Sequence, residues 1–151
     1  MPHQLAQLNI AHLLAPMDSP QLADFAANLD RINALAESSP GFVWRLQTDE
    51  GNATEIDFFG PDYIVNMSVW EDLDALHNYV YRSAHTEILR RKKEWFHTMS
   101  EAHMVLWWVP EGHRPTLEEA AQKLNVLREQ GPSVDAFTFK QSFPASIAQR
   151  E

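Results

Sequence analysis

The stretch YIVNMSVWE, residues 63–71, decides the fold. Read with a period of two, it puts Tyr63, Val65, Met67 and Val69 on one face and Ile64, Asn66, Ser68 and Trp70 on the other. The first face is wholly apolar or aromatic and belongs to the core. The second mixes apolar and polar groups, so this strand carries a dry side and a side with chemistry on it.

Working outward, the neighbouring segments fall into the same grammar. Residues 4–14, QLAQLNIAHLL, begin with period-2 alternation and predict a first strand. Asp18-Ser19-Pro20 then starts a helix, Ser19 as N-cap and Pro20 at the first helical position. Leu22, Phe25, Ala26, Leu29, Ile32 and Leu35 follow at three- and four-residue spacing, and Ser38-Ser39-Pro40-Gly41 stops the run. FVWRLQT, residues 42–48, is rich in aromatic and β-branched residues and predicts a second strand. A polar stretch over 49–62 is the longest candidate loop. Its Asn52-Ala53-Thr54 is a formal glycosylation sequon without a secretory signal.

After the quoted strand, a long second helix is expected over about 72–99, continuous or broken. MVLWWVP, residues 104–110, is a fourth strand. A capping box, Thr116 at the N-cap and Glu119 three residues on, opens a third helix to about residue 130, where Gly131-Pro132 ends it. FTF, residues 137–139, adds a short strand or a packing tail. The order βαββαβ with an added helix is the ferredoxin-like split βαβ arrangement, an α+β fold with an antiparallel four-stranded sheet. Helices cover one face of such a sheet; the other needs a cover, and a second sheet from a symmetric dimer would supply it.

The second helix changes its buried side. Projected at about 100° per residue, Leu73, Leu76, Val80 and Ala84 form one stripe, while His85, Ile88, Leu89 and Phe96 form another. A bend near Ser83, or two faces serving two contacts, reconciles them, since serine can bond back to a carbonyl one turn earlier. Tyr81, Arg82 and His85 sit where the stripe shifts.

Composition bounds the rest. The 151 residues fit one domain, spanning 1–151 with an extension from about 111. There is no cysteine, hence no disulfide framework or thiolate metal site. The first residues lack a basic n-region and a cleavage site, and no apolar run approaches the roughly 20 residues of a membrane span, so a cytoplasmic protein is expected. The net charge of -9 argues against nucleic acid. Five of the twelve Lys and Arg residues fall between Arg82 and Lys93, read as a solvated helix face.

With that arrangement in hand, SPGFVWRLQ (39–47), NMSVWEDLDAL (66–76), VYRSAHTEILRRKKEWF (80–96) and LWWVPEGHRPTLEEA (106–120) carry a family likeness. The chain resembles the dimeric α/β-barrel superfamily, which includes antibiotic-biosynthesis monooxygenases, and within it a bacterial branch of unknown function. The resemblance implies a homodimer and a cleft between sheet and helices. Relatives use that cleft for cofactor-free oxidation of aromatic substrates, haem binding, isomerisation or small-ligand binding, so fold alone does not choose among them.

The candidate catalytic residues are His85, Tyr81 and Arg82. His85 can serve as acid, base or axial ligand, Tyr81 lies one turn away on the same side, and Arg82 can orient a carboxylate or phenolate. Each also has a plainer role, as a structural histidine at a bend or one half of a salt bridge. Trp44, Asn66 and Trp107 are candidate ligand or cofactor contacts, although tryptophans on strands are more often core. Trp107 and Trp108 must face opposite sides of their strand. The seven histidines show no HxxxH or HExxH spacing, so no metal site is expected; a cofactor is either absent or a haem, which needs one axial histidine. The expected ligand is a small, flat, apolar or aromatic molecule, handled by an oxygenase-like enzyme with His85 as base or axial ligand. The alternative is a non-catalytic ligand-binding or interaction module.

Overall fold

A computed structural model describes residues 3–16, 18–46, 63–82, 86, 90–98 and 102–144. The strands are β1 (His3–His12), β2 (Phe42–Arg45), β3 (Tyr63–Trp70) and β4 (Met104–Pro110). They form one sheet in the order β2-β3-β1-β4, and every pairing is antiparallel. This is the ferredoxin-like order, with the first and third strands in the middle. The helices given bounds among the described residues are α1 (Ala23–Ser38), α2 (Leu73–Arg82), the four-residue α3 (Lys92–Trp95) and α4 (Leu117–Gln130).

The register sorts the side chains into two faces. One carries Ala6, Leu8, Ile10, Val65, Met67, Val69, Val105, Trp107 and Val109, all buried against Ala120, Leu124 and Leu127 of α4. The other carries Leu5, Trp70 and Leu106, packed with Ala36 of α1, Leu76 of α2 and Phe137 of the C-terminal segment. The wholly apolar face of β3 is therefore core, as its pattern requires. Its cover is the chain's own α4, where the pattern alone suggested a second sheet. The mixed face lies under α1 and α2.

Several local expectations shift. Pro20–Leu22 forms a 3-10 turn, and α1 proper begins at Ala23; Ser19 precedes that turn but makes no side-chain cap bond. The helix after β3 does not run on to residue 99: α3 is a separate turn after Arg91, and Phe96 is extended in a bridge to Leu13. Backbone bonds from Leu14 to Trp95 and from His97 to His12 (both 2.8 Å) fix that crossing. Leu22, Phe25 and Trp95 fill the space beneath it.

Arg91, expected in a solvated basic face, bonds Asp24 on α1 (2.9 Å) and Glu94 (2.8 Å) and lies 4.8 Å over the Trp95 ring. Its guanidinium holds the Glu94 carboxyl below the usual glutamate range.

Two turns are set by backbone constraints. Gly41 has φ of 85° and sits so close to Ala75 of α2 that a Cβ there would collide with the Ala75 Cβ. Its carbonyl accepts from Glu71 N–H (2.7 Å), so the α1–β2 turn is clamped onto the start of α2. At the other end of the chain, α4 stops at Gly131, with φ of 77°. Beyond it, Phe137 exchanges two backbone bonds with Leu106 (2.9 and 2.8 Å) and covers the outer edge of β4. Among the described residues, no helix is long and apolar enough to cross a membrane.

Candidate functional site

The face of the sheet under α1 and α2 is not uniformly apolar. Along β1 it presents Leu5, Gln7 and Asn9, and along β3 it presents Asn66, Ser68 and Trp70. Gln7 stands directly opposite Ser68, Asn9 opposite Asn66, and Arg45 of β2 opposite Ser68. A transverse polar row thus crosses three strands, in a layer where packing alone would favour Leu or Val. Gln7 is 5% exposed and Ser68 6%.

The row is hydrogen-bonded internally. The Gln7 amide Nε2 donates to Ser68 Oγ (2.8 Å) and to Asn66 Oδ1. The Trp70 indole N–H donates to the same Ser68 Oγ (2.8 Å). With its Oδ1 engaged, Asn66 has its Nδ2 left to donate, and Asn66 is exposed. Next to it, Asn9 Oδ1 is buried and has no hydrogen-bond partner among the described residues. Such an orphaned acceptor costs about 1–3 kcal/mol if nothing satisfies it.

Aromatic rings border the row. Trp70 packs edge-on against Phe42 (5.4 Å between centroids) and stacks on Tyr79 of α2 (5.1 Å). The Tyr79 hydroxyl donates to the Ile32 carbonyl of α1 (3.3 Å). Burial raises the Tyr79 phenol well above its ordinary range, and the nearby Arg45 guanidinium offsets part of that rise. The phenol is therefore a neutral donor at any physiological pH. The row offers amides, a hydroxyl and one fixed cation; it can hold and orient a molecule, while a proton acceptor would have to come from another element.

The expected residues distribute as follows. Asn66 is on this row. Trp44 and Trp107 lie on the opposite face, packed with the α4 core, so they do not meet Asn66 in one pocket. The Trp107 indole donates to Glu119 (2.9 Å), whose other oxygen is 2.7 Å from His113 Nε2. The capping box is thus half formed: Glu119 N–H donates to Thr116 Oγ1 (3.1 Å), and the Glu119 carboxylate serves Trp107 and His113. Tyr81 is on α2, 48% exposed, beside His77 (4.8 Å) and Phe139 (5.6 Å). Arg82 closes α2, its side chain outside the described residues. His85, the 49–62 loop and the Ser83 bend also lie outside them.

Gln7, Asn9, Ser68, Tyr79 and Arg45 were not singled out from the sequence. A signal for the first three existed: polar residues recur at same-face positions of both central strands, Gln7 and Asn9 beside Asn66 and Ser68. It becomes readable only once the register is known. Among the described residues no group of three or more His, Asp or Glu side chains is placed to hold a metal ion.

Comparison with known proteins adds the following. A family model described as a domain of unknown function, DUF3291, matches residues 4–151. No curated protein matches the chain. Among solved structures, the chain is similar to the NE2512 protein of unknown function from Nitrosomonas europaea, at 13% identity and a TM-score of 0.50, covering 76% of this chain and 96% of that one. It is also similar to SnoaB, a cofactor-independent oxygenase from Streptomyces nogalater, at 17% identity and a TM-score of 0.45, with 76% and 96% covered. At such identities the likeness is one of fold.

Proposed function

Given that the chain belongs to the DUF3291 family, whose function is unknown, we propose that it binds a small, flat, largely apolar molecule between the sheet and helices α1 and α2. The ligand's polar edge meets the row of Gln7, Ser68 and Asn66. The observation that carries this reading is the contrast between faces. The side of the sheet under α4 is apolar at every buried position, while the side under α1 and α2 holds Gln7 and Ser68 below 10% exposure and ends in exposed Asn66. Asn66 Nδ2 supplies a donor, Asn9 Oδ1 an acceptor, and Trp70, Phe42 and Tyr79 the aromatic walls.

The test is calorimetric titration of flat bicyclic aromatics that carry one hydrogen-bonding substituent. The wild type is expected to bind a subset of them. Asn66→Leu should weaken that binding roughly tenfold, the worth of a hydrogen bond near the upper end of its range. Unchanged affinity in Asn66→Leu would sink the assignment of the row.

An oxygenase-like reaction is the catalytic extension of this reading, with His85 as base or haem ligand and Tyr81 and Arg82 orienting polar substituents. Haemin titration separates its two forms: a Soret shift abolished by His85→Ala is required for a haem protein. A homodimer belongs to the same proposal and requires sedimentation at twice the 17.3 kDa chain mass.

A further inference from the structure

The hydrogen bonds inside the row leave a defined set of groups over. Both hydrogens of the Gln7 amide are in use, one on Ser68 Oγ (2.8 Å) and one on Asn66 Oδ1. Gln7 Oε1 then has no donor among the described residues, and neither has Asn9 Oδ1, across from Asn66 in the register. Ser68 Oγ already accepts from Gln7 and from the Trp70 indole, so its own hydrogen is left without an acceptor among the same residues. Asn66 Nδ2 adds a donor on an exposed residue.

What is left over is a donor and an acceptor side by side, on two amides that bond each other. Turning both amides over exchanges their roles and leaves the sum unchanged. Ser68 O–H and Asn66 Nδ2 then donate to Gln7 Oε1, and the outward pair becomes Gln7 Nε2 and Asn66 Oδ1. Either way the edge sets one donor beside one acceptor and carries no charge. Arg45, in line with the row, is already engaged, with Glu37 among its partners. A charged ligand edge would meet no open counter-ion in the row. A ligand with an acceptor alone, or a donor alone, would leave half of the edge unpaired, which is costly once water is excluded.

We infer that the ligand of this site is an uncharged aromatic with a ring N–H beside a carbonyl, a lactam or cyclic imide fused to a flat ring. Its carbonyl takes the amide donor of the Gln7–Asn66 pair, and its N–H takes the amide acceptor. This inference rests on the reading of the row as a ligand site. A row kept only for packing predicts no such order among ligands.

The experiment is calorimetry on the full chain with three flat bicycles: 2-quinolone, quinoline and 2-aminoquinoline. The first has adjacent N–H and carbonyl, and quinoline lacks the donor. At mildly acidic pH the protonated edge of 2-aminoquinoline offers donors only. The wild type should bind 2-quinolone roughly tenfold more tightly than either of the others, the scale of one hydrogen bond gained and one acceptor or donor no longer orphaned. Asn66→Asp, close in size and at an exposed position, turns the edge into acceptors only and should reverse the order of 2-quinolone and 2-aminoquinoline. An order that Asn66→Asp leaves unchanged overturns the inference. Equal binding of all three probes to the wild type, weakened by Asn66→Leu, also overturns it while the row remains a ligand site; that comparison needs no folded Asn66→Asp. If no probe binds, the row reading fails and the lactam inference falls with it.

Discussion

Tyr79 connects three parts of the molecule at the scale of one residue. It stacks on Trp70 of β3, donates to the Ile32 carbonyl of α1 and feels the charge of Arg45 on β2. Because burial raises its phenol, the folded state binds a proton that the unfolded chain releases at about pH 10. The stabilising contribution is therefore full below about pH 10 and is lost as the pH rises beyond it. Melting temperature measured from pH 8 to 11 should fall at the alkaline end, and Tyr79→Phe should flatten that fall. An identical alkaline slope in the variant would mean that Tyr79 is not buried as described. At neutral pH the same substitution should cost no more than about 1.5 kcal/mol, one hydrogen bond. None of this was legible in the sequence, where Tyr79 lies between the positions of the Leu76–Val80 stripe. Tyr81, two residues on, drew attention through its neighbours Arg82 and His85, yet it is the more exposed of the two tyrosines.

At the scale of elements, the strands and the two long flanking helices followed from periodicity because a one-residue slip would turn every apolar side chain outward. Helix α4 was equally clear from its cap and its Gly131 stop. What periodicity could not say was where α4 goes. Leu124 and Leu127 do not name their partner, and the sheet face they cover is as apolar as one that meets a second sheet. The segment after α4 was harder still: FTF is too short for a pattern, and only the structure shows Phe137 fully buried against Leu106 and Trp108. That residue ties the C-terminal segment to the β4 edge and completes the core beneath α2. Phe137→Ala should destabilise the protein by about 3–5 kcal/mol, the usual cost of emptying a buried phenylalanine site. Urea unfolding measures it; a loss below about 1 kcal/mol would show that the segment is not docked. The second helix, expected over about 72–99 as continuous or broken, is interrupted and ends earlier than that bound, at Trp95. Phe96 of the second stripe is extended, while His85, Ile88 and Leu89 of that stripe lie outside the described residues.

At the scale of the whole molecule, the ferredoxin-like fold was readable from element order, and the site only in part. Asn66 stood out as a polar residue on a strand, but Trp44 and Trp107, grouped with it by residue type, belong to the other face. Composition and spacing do not encode which strands are neighbours; the sheet order does, and it alone brings Gln7 to Ser68 and Arg45 into line with both. The central claim is that this row is kept for a ligand and not for stability. In the double variant Gln7→Leu/Asn66→Leu, both partners of one part-buried bond become apolar while Ser68 still accepts from Trp70. Replacing both ends of a polar pair leaves no partner orphaned and is close to neutral, whereas removing a binding site is not neutral for binding. The most direct measurement is urea unfolding of this variant alongside titration with the bicyclic aromatics that bind the wild type. Stability within about 1 kcal/mol of wild type or higher, together with lost binding, is the predicted result. A variant that unfolds several kcal/mol more easily, or that binds those probes as the wild type does, would contradict the account.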